Sequence, residues 1–172
     1  VFVKSDARGR IIVAVYVDDV TYATDSDEMA AEFLAGMRER FDIGADEGND
    51  IEWLLSIAID QDLKAGTVSM SQQTYIEAVA DRFLDEFEKE QRPNTHMLHS
   101  ESAQLRRTEE GGRVVPKSEF DYLGCVGCLL HCVNCVRCDV AVAVCILARF
   151  SNAPGPSHVK AAKRVCAYLL ST

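Results

Sequence analysis

The chain has 172 residues, of which 48% are hydrophobic and 26% charged, and its net charge is -9. That composition excludes disorder, and no apolar run approaches the ~18 residues of a membrane-spanning helix. Such an acidic balance argues against a free-standing nucleic-acid binder, unless the basic surface lies in another part of a longer protein.

The start, Val1-Phe2-Val3-Lys4, has no methionine, basic leader or cleavage site, and reads as an internal position of a longer protein. Seven cysteines without a secretory signal point to free thiols in an intracellular, reducing setting.

Residues 1–24 read as strands around the turn Ser5-Asp6-Ala7-Arg8-Gly9, followed by a hairpin. In that hairpin two runs of β-branched and aromatic residues flank Asp18 and Asp19. Adjacent carboxylates repel, and a divalent cation with a taste for hard oxygens removes that cost. A solvated Asp-Asp turn is the alternative. Ile11, Val13 and Val15 alternate with Ile12, Ala14 and Tyr16, so both faces are apolar and the strand is expected to be central.

Residues 25–41 are expected to form a helix capped by Asp25 or Ser26, with an apolar stripe of Ala30, Phe33, Leu34, Met37 and Phe41. Gly44 and Gly48 frame an acidic loop after it. Residues 51–70 read as a second hairpin, with a first arm over 53–59, a turn over 61–66 and a return over 67–70. Ser71 is expected to cap a helix whose stripe runs Tyr75, Ile76, Val79, Ala80, Phe83, Leu84, Phe87. Residues 88–117 read as a polar linker. Residues 118–150 read as two helices, with Ser118 as cap and Asp121 in the capping box, and the C-terminal portion as a whole is expected to hold about three helices.

Tyr16-Val17-Asp18-Asp19 between apolar strands resembles the Y-x-D-D box of reverse transcriptases. Met70-Ser71-Gln72-Gln73-Thr74-Tyr75-Ile76 resembles the "L-S-Q-x-x-Y-I" of copia-type (Pseudoviridae-like) retrotransposon polymerases. In the same order follow Arg92-Pro93-Asn94-Thr95, then Tyr122 to His131 with Arg137-Cys138-Asp139, and His158 with Ala161-Ala162-Lys163-Arg164-Val165. Departures include Ser56 for Gly, His131 for Tyr, Cys138 for Pro and Val159 for Trp.

The resemblance implies an α+β fold. Residues 1–87 would be the second half of a polymerase palm, with an antiparallel sheet and a packed helix. Residues 88–117 would be a linker, and 118–172 a thumb- or connection-like helical region. It implies RNA-directed DNA polymerase chemistry, with Asp18 and Asp19 as catalytic metal ligands for Mg²⁺ or Mn²⁺. Tyr16 and Val17 would lie against primer end and nucleotide, and Trp53, Leu54, Leu55 and Ser56 would form the primer grip. Template–primer, dNTP and the N-terminal half of the polyprotein would be the partners. The fingers and a third aspartate are expected upstream of Val1, so the isolated chain is expected to be inactive. The implied location is a cytoplasmic particle or the nucleus, with no membrane.

Two other readings stay open. One is a decayed or repurposed element fragment without chemistry. The other is a small zinc-binding protein using Cys125, Cys128, Cys132, Cys135 and Cys138 with His131. Positions 125, 128, 132 and 135 also share one helix face, and buried core thiols are the expected state.

Overall fold

Turn chemistry and helix caps divide the chain into short elements. In the computed structural model, residues 1–43, 51–97, 105 and 112–172 are described. Strands β1 (Phe2–Asp6), β2 (Gly9–Tyr16) and β3 (Asp19–Thr24) form an antiparallel sheet in the order β1-β2-β3. β2 is central, as its two apolar faces require. Helix α1 (Asp27–Arg38) is capped by Ser26, whose side chain accepts from the Met29 N–H. Arg8 at the β1–β2 turn pairs with Asp6 and with Glu32 of α1, each at 2.7 Å. Lys4 joins Glu32 at 2.7 Å, so the helix is tied to the sheet at its rim. The Arg8 guanidinium holds the Asp6 carboxyl down to about 2. The glycines at 44 and 48 lie outside the described residues.

A second antiparallel sheet holds β4 (Trp53–Leu54), β5 (Ile57–Asp62) and β6 (Thr67–Ser71) in that order. The expected arm over 53–59 is broken: Leu54 pairs with Ile57, and Leu55 and Ser56 form a two-residue turn at φ 51° and 66°. Ser71 ends β6 instead of capping the helix, although its hydroxyl still accepts from the Gln73 N–H at 3.2 Å.

The chain divides into two compact units, Val1–Ser69 and Met70–Thr172. The second holds α2 (Gln73–Phe83), α3 (Glu86–Glu90), α4 (Tyr122–Cys135), a 3₁₀ turn (Cys138–Val140), α5 (Ala141–Ala148) and α6 (Pro156–Ser171). The helix expected to run from 71 to 87 stops at Leu84 because Asp85 starts α3 with a capping box to Glu88. Phe87 is therefore 72% exposed and leaves the stripe. Asp121, not Ser118, caps α4 by accepting from the Gly124 N–H.

The core of this unit is helix on helix. Ile76, Val79 and Phe83 of α2 pack with Val126 and Leu129 of α4, Val144 and Leu147 of α5, and Val165 and Leu169 of α6. Of its buried polar groups, the Tyr122 hydroxyl donates to the Leu147 carbonyl at 2.9 Å, whereas the Gln72 side-chain amide is buried without a hydrogen-bond partner among the described residues. Gly155 N–H donates to His158 Nδ1 at 2.8 Å, and the His158 ring stacks on Phe150. Helix α2, grouped in the sequence reading with residues 1–87, thus packs with the C-terminal helices. Among the described residues no helix is long and apolar enough to cross a membrane.

Candidate polymerase site

The tip of the β2–β3 hairpin is a two-residue turn. Tyr16 pairs with Asp19, leaving Val17 and Asp18 as the loop. Short two-residue loops match the twist of antiparallel strands only when at least one loop residue takes positive φ. Here that residue is Val17, at φ 54°. A β-branched side chain is strained in that region, at a cost of about 1–3 kcal/mol. The hairpin therefore holds Asp18 at its apex and Asp19 at the first position of β3. Both carboxylates are exposed, as are Tyr16 and Val17.

Cross-strand pairing puts Val13 opposite Tyr22 and Val15 opposite Val20. These side chains belong to the face that α1 covers only at the far end, where Ile11 and Met29 are buried. Tyr22 meets Phe33 of α1 with ring centroids 5.4 Å apart. Toward the tip the same face opens into a cavity of about 910 Å³ lined by Val13, Val15, Val17, Asp18 and Asp19. Val15 is 50% exposed there. The arrangement gives two hard-oxygen ligands on a tightly turned hairpin, beside an uncovered apolar wall.

Trp53, Leu54, Leu55 and Ser56 come together at the β4–β5 turn, with Trp53 57% and Leu55 40% exposed. Both sets of expected site residues lie in the first unit. Sequence reasoning missed that Leu55 and Ser56 are themselves the turn. The sign available was the position where the family has glycine, since only glycine takes positive φ without strain.

Among the described residues no group of three or more His, Cys, Asp or Glu side chains is placed to hold a metal ion. Cys125, Cys132 and Cys166 are buried, and the Cys125 and Cys166 sulfurs touch at 3.7 Å. Burial pushes the Cys132 thiol up to about 11. Arg137 and Asp139 pair with each other at 2.9 Å, and Arg137 donates to the Thr172 hydroxyl at 2.6 Å. That motif ties the 3₁₀ turn to the end of α6.

Residues 1–93 match the family model described as reverse transcriptase (RNA-dependent DNA polymerase). The chain is 29% identical over 176 residues to a retrovirus-related Pol polyprotein from transposon TNT 1-94 of Nicotiana tabacum, an alignment covering 99% of this chain and 13% of that one. It is 28% identical over 178 residues to a putative transposon Ty5-1 protein of Saccharomyces cerevisiae, covering 99% of this chain and 52% of that one. A secreted RxLR effector protein of Plasmopara viticola is 43% identical over 51 residues, 30% of this chain and 36% of the effector. The chain thus spans about half of the yeast relative and a smaller part of the tobacco polyprotein. No solved structure matches.

Proposed function

This chain belongs to the reverse transcriptase family of copia-type retrotransposons, and on that premise we propose that its first unit carries catalytic carboxylates of an RNA-directed DNA polymerase. The observation behind this is the Val17-Asp18 turn, which holds two adjacent carboxylates at the tip of a paired hairpin. The family acts on nucleic acid and uses a divalent metal. For this chain the metal is Mg²⁺, with Mn²⁺ as a substitute. Asp18 would be the principal ligand, and Asp19 would add charge and a weaker contact.

The donor type fits such a cation, but two carboxylates fall short of a full shell. When bound, the cation stabilises the attacking and leaving oxygens of nucleotidyl transfer. The chain's own residues do the placing. The strained turn fixes where the carboxylates stand. Tyr16 and Val17 would border the primer end and the nucleotide. The Trp53–Ser56 turn would hold the primer strand. A further carboxylate would come from another part of the polyprotein, in an intracellular particle or the nucleus. Because two carboxylates fall short of a full cation shell, we expect this chain alone not to extend a primer.

The test is primer extension with Mg²⁺ and with Mn²⁺, for the chain and for a hybrid joined to the fingers and first palm strand of a related polymerase. We expect extension by the hybrid only, and its loss in Asp18→Asn, which removes charge without changing shape. Equal extension by the hybrid with and without Asp18 would remove the turn from the chemistry.

A further inference from the structure

Most of the cysteines stand in one place. Four of the seven lie on α4, at 125, 128, 132 and 135, and a fifth, Cys166, lies on α6. Neither the carboxylate hairpin nor the Trp53–Ser56 turn uses any of them. Cys125 and Cys166 are 0% and 1% exposed, and their sulfurs stand 3.7 Å apart. Two thiols from different helices, 41 residues apart in sequence, are thus in van der Waals contact inside the core.

Helix geometry limits which of these thiols can bond. Residues three or four apart on one helix have Cβ atoms about 5–6 Å apart, whereas a disulfide needs about 3.5–4.5 Å. The thiols of α4 are therefore badly placed to pair with one another. A bond has to cross between helices, and Cys166 is the one cysteine of α6. Ala162, one turn before it on the same face, is fully buried, and so small a side chain lets a neighbouring helix come close.

The surroundings favour one product. The Cys125 sulfur beside it and burial push the Cys166 thiol well above the ordinary thiol range, so thiolates are disfavoured here. A soft monovalent cation on two thiolates would leave a net negative charge among Leu129, Val165 and Leu169, which belong to the same core. Among the described residues no third side chain is placed to complete a metal site. A disulfide is neutral and apolar, so this core accepts it without a buried charge.

We propose that Cys125 and Cys166 form a redox site, in which a two-electron oxidant of the peroxide class joins them in a disulfide that staples α4 to α6. Local opening of the helices admits the peroxide, which is small enough to reach a core that excludes bulkier oxidants. The Cys166 sulfur attacks one peroxide oxygen and the O–O bond breaks. The departing hydroxide takes the thiol proton as water, and a sulfenic acid remains. The Cys125 sulfur then attacks the sulfenic sulfur. The S–S bond forms, the S–O bond breaks, and the second water carries off the Cys125 proton. Two thiols lose two electrons, and one peroxide becomes two waters. A thiol reductant reverses the bond by exchange. The site does not rest on the polymerase reading and uses neither Asp18 nor Asp19.

The whole chain with Cys138→Ser/Cys145→Ser, which removes the two exposed thiols, is treated with hydrogen peroxide at neutral pH. It is then alkylated in denaturant and digested with trypsin. Cleavage after Lys117, Arg137 and Arg164 leaves the four α4 cysteines in peptide 118–137 and Cys166 in peptide 165–172. The two peptides should appear linked, with fragmentation assigning Cys125, and should separate in dithiothreitol. The oxidised chain should melt roughly 10 °C above the reduced one, because the bond closes a loop spanning 41 residues. Cys125→Ala should show neither the link nor the shift, and Cys166→Ala repeats the test on the other helix.

Cys166 still alkylated after oxidation at urea concentrations that open the unit overturns the proposal. A link from Cys166 to Cys128, Cys132 or Cys135 overturns the pairing. A Cys125–Cys166 link without a higher Tm overturns the staple. The peptide map of the chain that keeps both thiols decides the pairing even if neither alanine variant folds.

Discussion

The turn at Leu55 and Ser56 gives the sharpest test of the fold of the candidate site. Both residues hold positive φ, at 51° and 66°, in a two-residue loop closed by the Leu54–Ile57 pair. Turns with both central residues at positive φ favour Asn-Gly for steric reasons. An L-residue in this region costs roughly 1–2 kcal/mol, and glycine returns roughly 0.5–1 kcal/mol of that through its larger entropy loss on folding. Ser56→Gly should therefore stabilise the first unit by about 0.5–1 kcal/mol. Leu55→Asn/Ser56→Gly should add about 0.5 kcal/mol more, because Asn tolerates the left-handed region. For a unit of this size, 1 kcal/mol shifts the Tm by about 4–8 °C.

The assay is urea and thermal unfolding read by tryptophan fluorescence. Trp53 is the only tryptophan and lies two residues before the turn. Ser56→Ala serves as control: it keeps the strain and should give no gain. A Ser56→Gly variant no more stable than Ser56→Ala would refute the strained turn.

The remaining predictions concern other elements. Val17→Gly should relieve the strain at the Val17-Asp18 turn and stabilise the first unit by about 1 kcal/mol; unchanged urea unfolding would contradict the positive φ. Tyr122→Phe removes one of two hydrogen bonds to the Leu147 carbonyl, which keeps the Phe150 N–H at 3.0 Å, and should cost about 0.5–1.5 kcal/mol in denaturant unfolding of the second unit; no loss would mean that the buried hydroxyl contributes nothing net to stability. Iodoacetamide at neutral pH should label exposed Cys138 and Cys145 well before buried Cys125, Cys132 and Cys166, as peptide mapping would show. The Cys132 thiol rises from 9.0 to about 11 on folding, so between those values the unfolded chain has lost a proton that the folded chain keeps. Stability should therefore be full below about pH 9 and fall as pH rises toward 11, by at most about 1.4 kcal/mol per unit; a flat profile in pH-dependent melts would refute it.

Local rules carried much of the architecture into the sequence. The central strand was legible because residues 11–16 are apolar on both faces, and only an inner strand needs that. The carboxylate hairpin was legible because acids interrupt a β-branched run at its middle. The stripes of α1 and α2 were legible from spacing alone. Even the break after Leu84 had a local sign, since Asp85 and Glu88 stand at capping-box spacing.

Other features belonged to tertiary structure. Leu55 and Ser56 carry no turn chemistry of their own; closure of the Leu54–Ile57 pair forces them into positive φ. The cap moved from Ser118 to Asp121 because the chain through 116–120 makes its own turn, with Pro116 accepting from Glu119 and Phe120. The cysteines could read as ligands or as core until packing put Cys125 against Cys166 of another helix. Lys163 of α6 meets Glu88 of α3 only because packing brings together residues 75 apart in sequence. Spacing along one chain settles periodicity and caps, because those act over a few residues. Which charges and thiols meet depends on contacts between segments far apart in sequence, and only packing of the helices decides that.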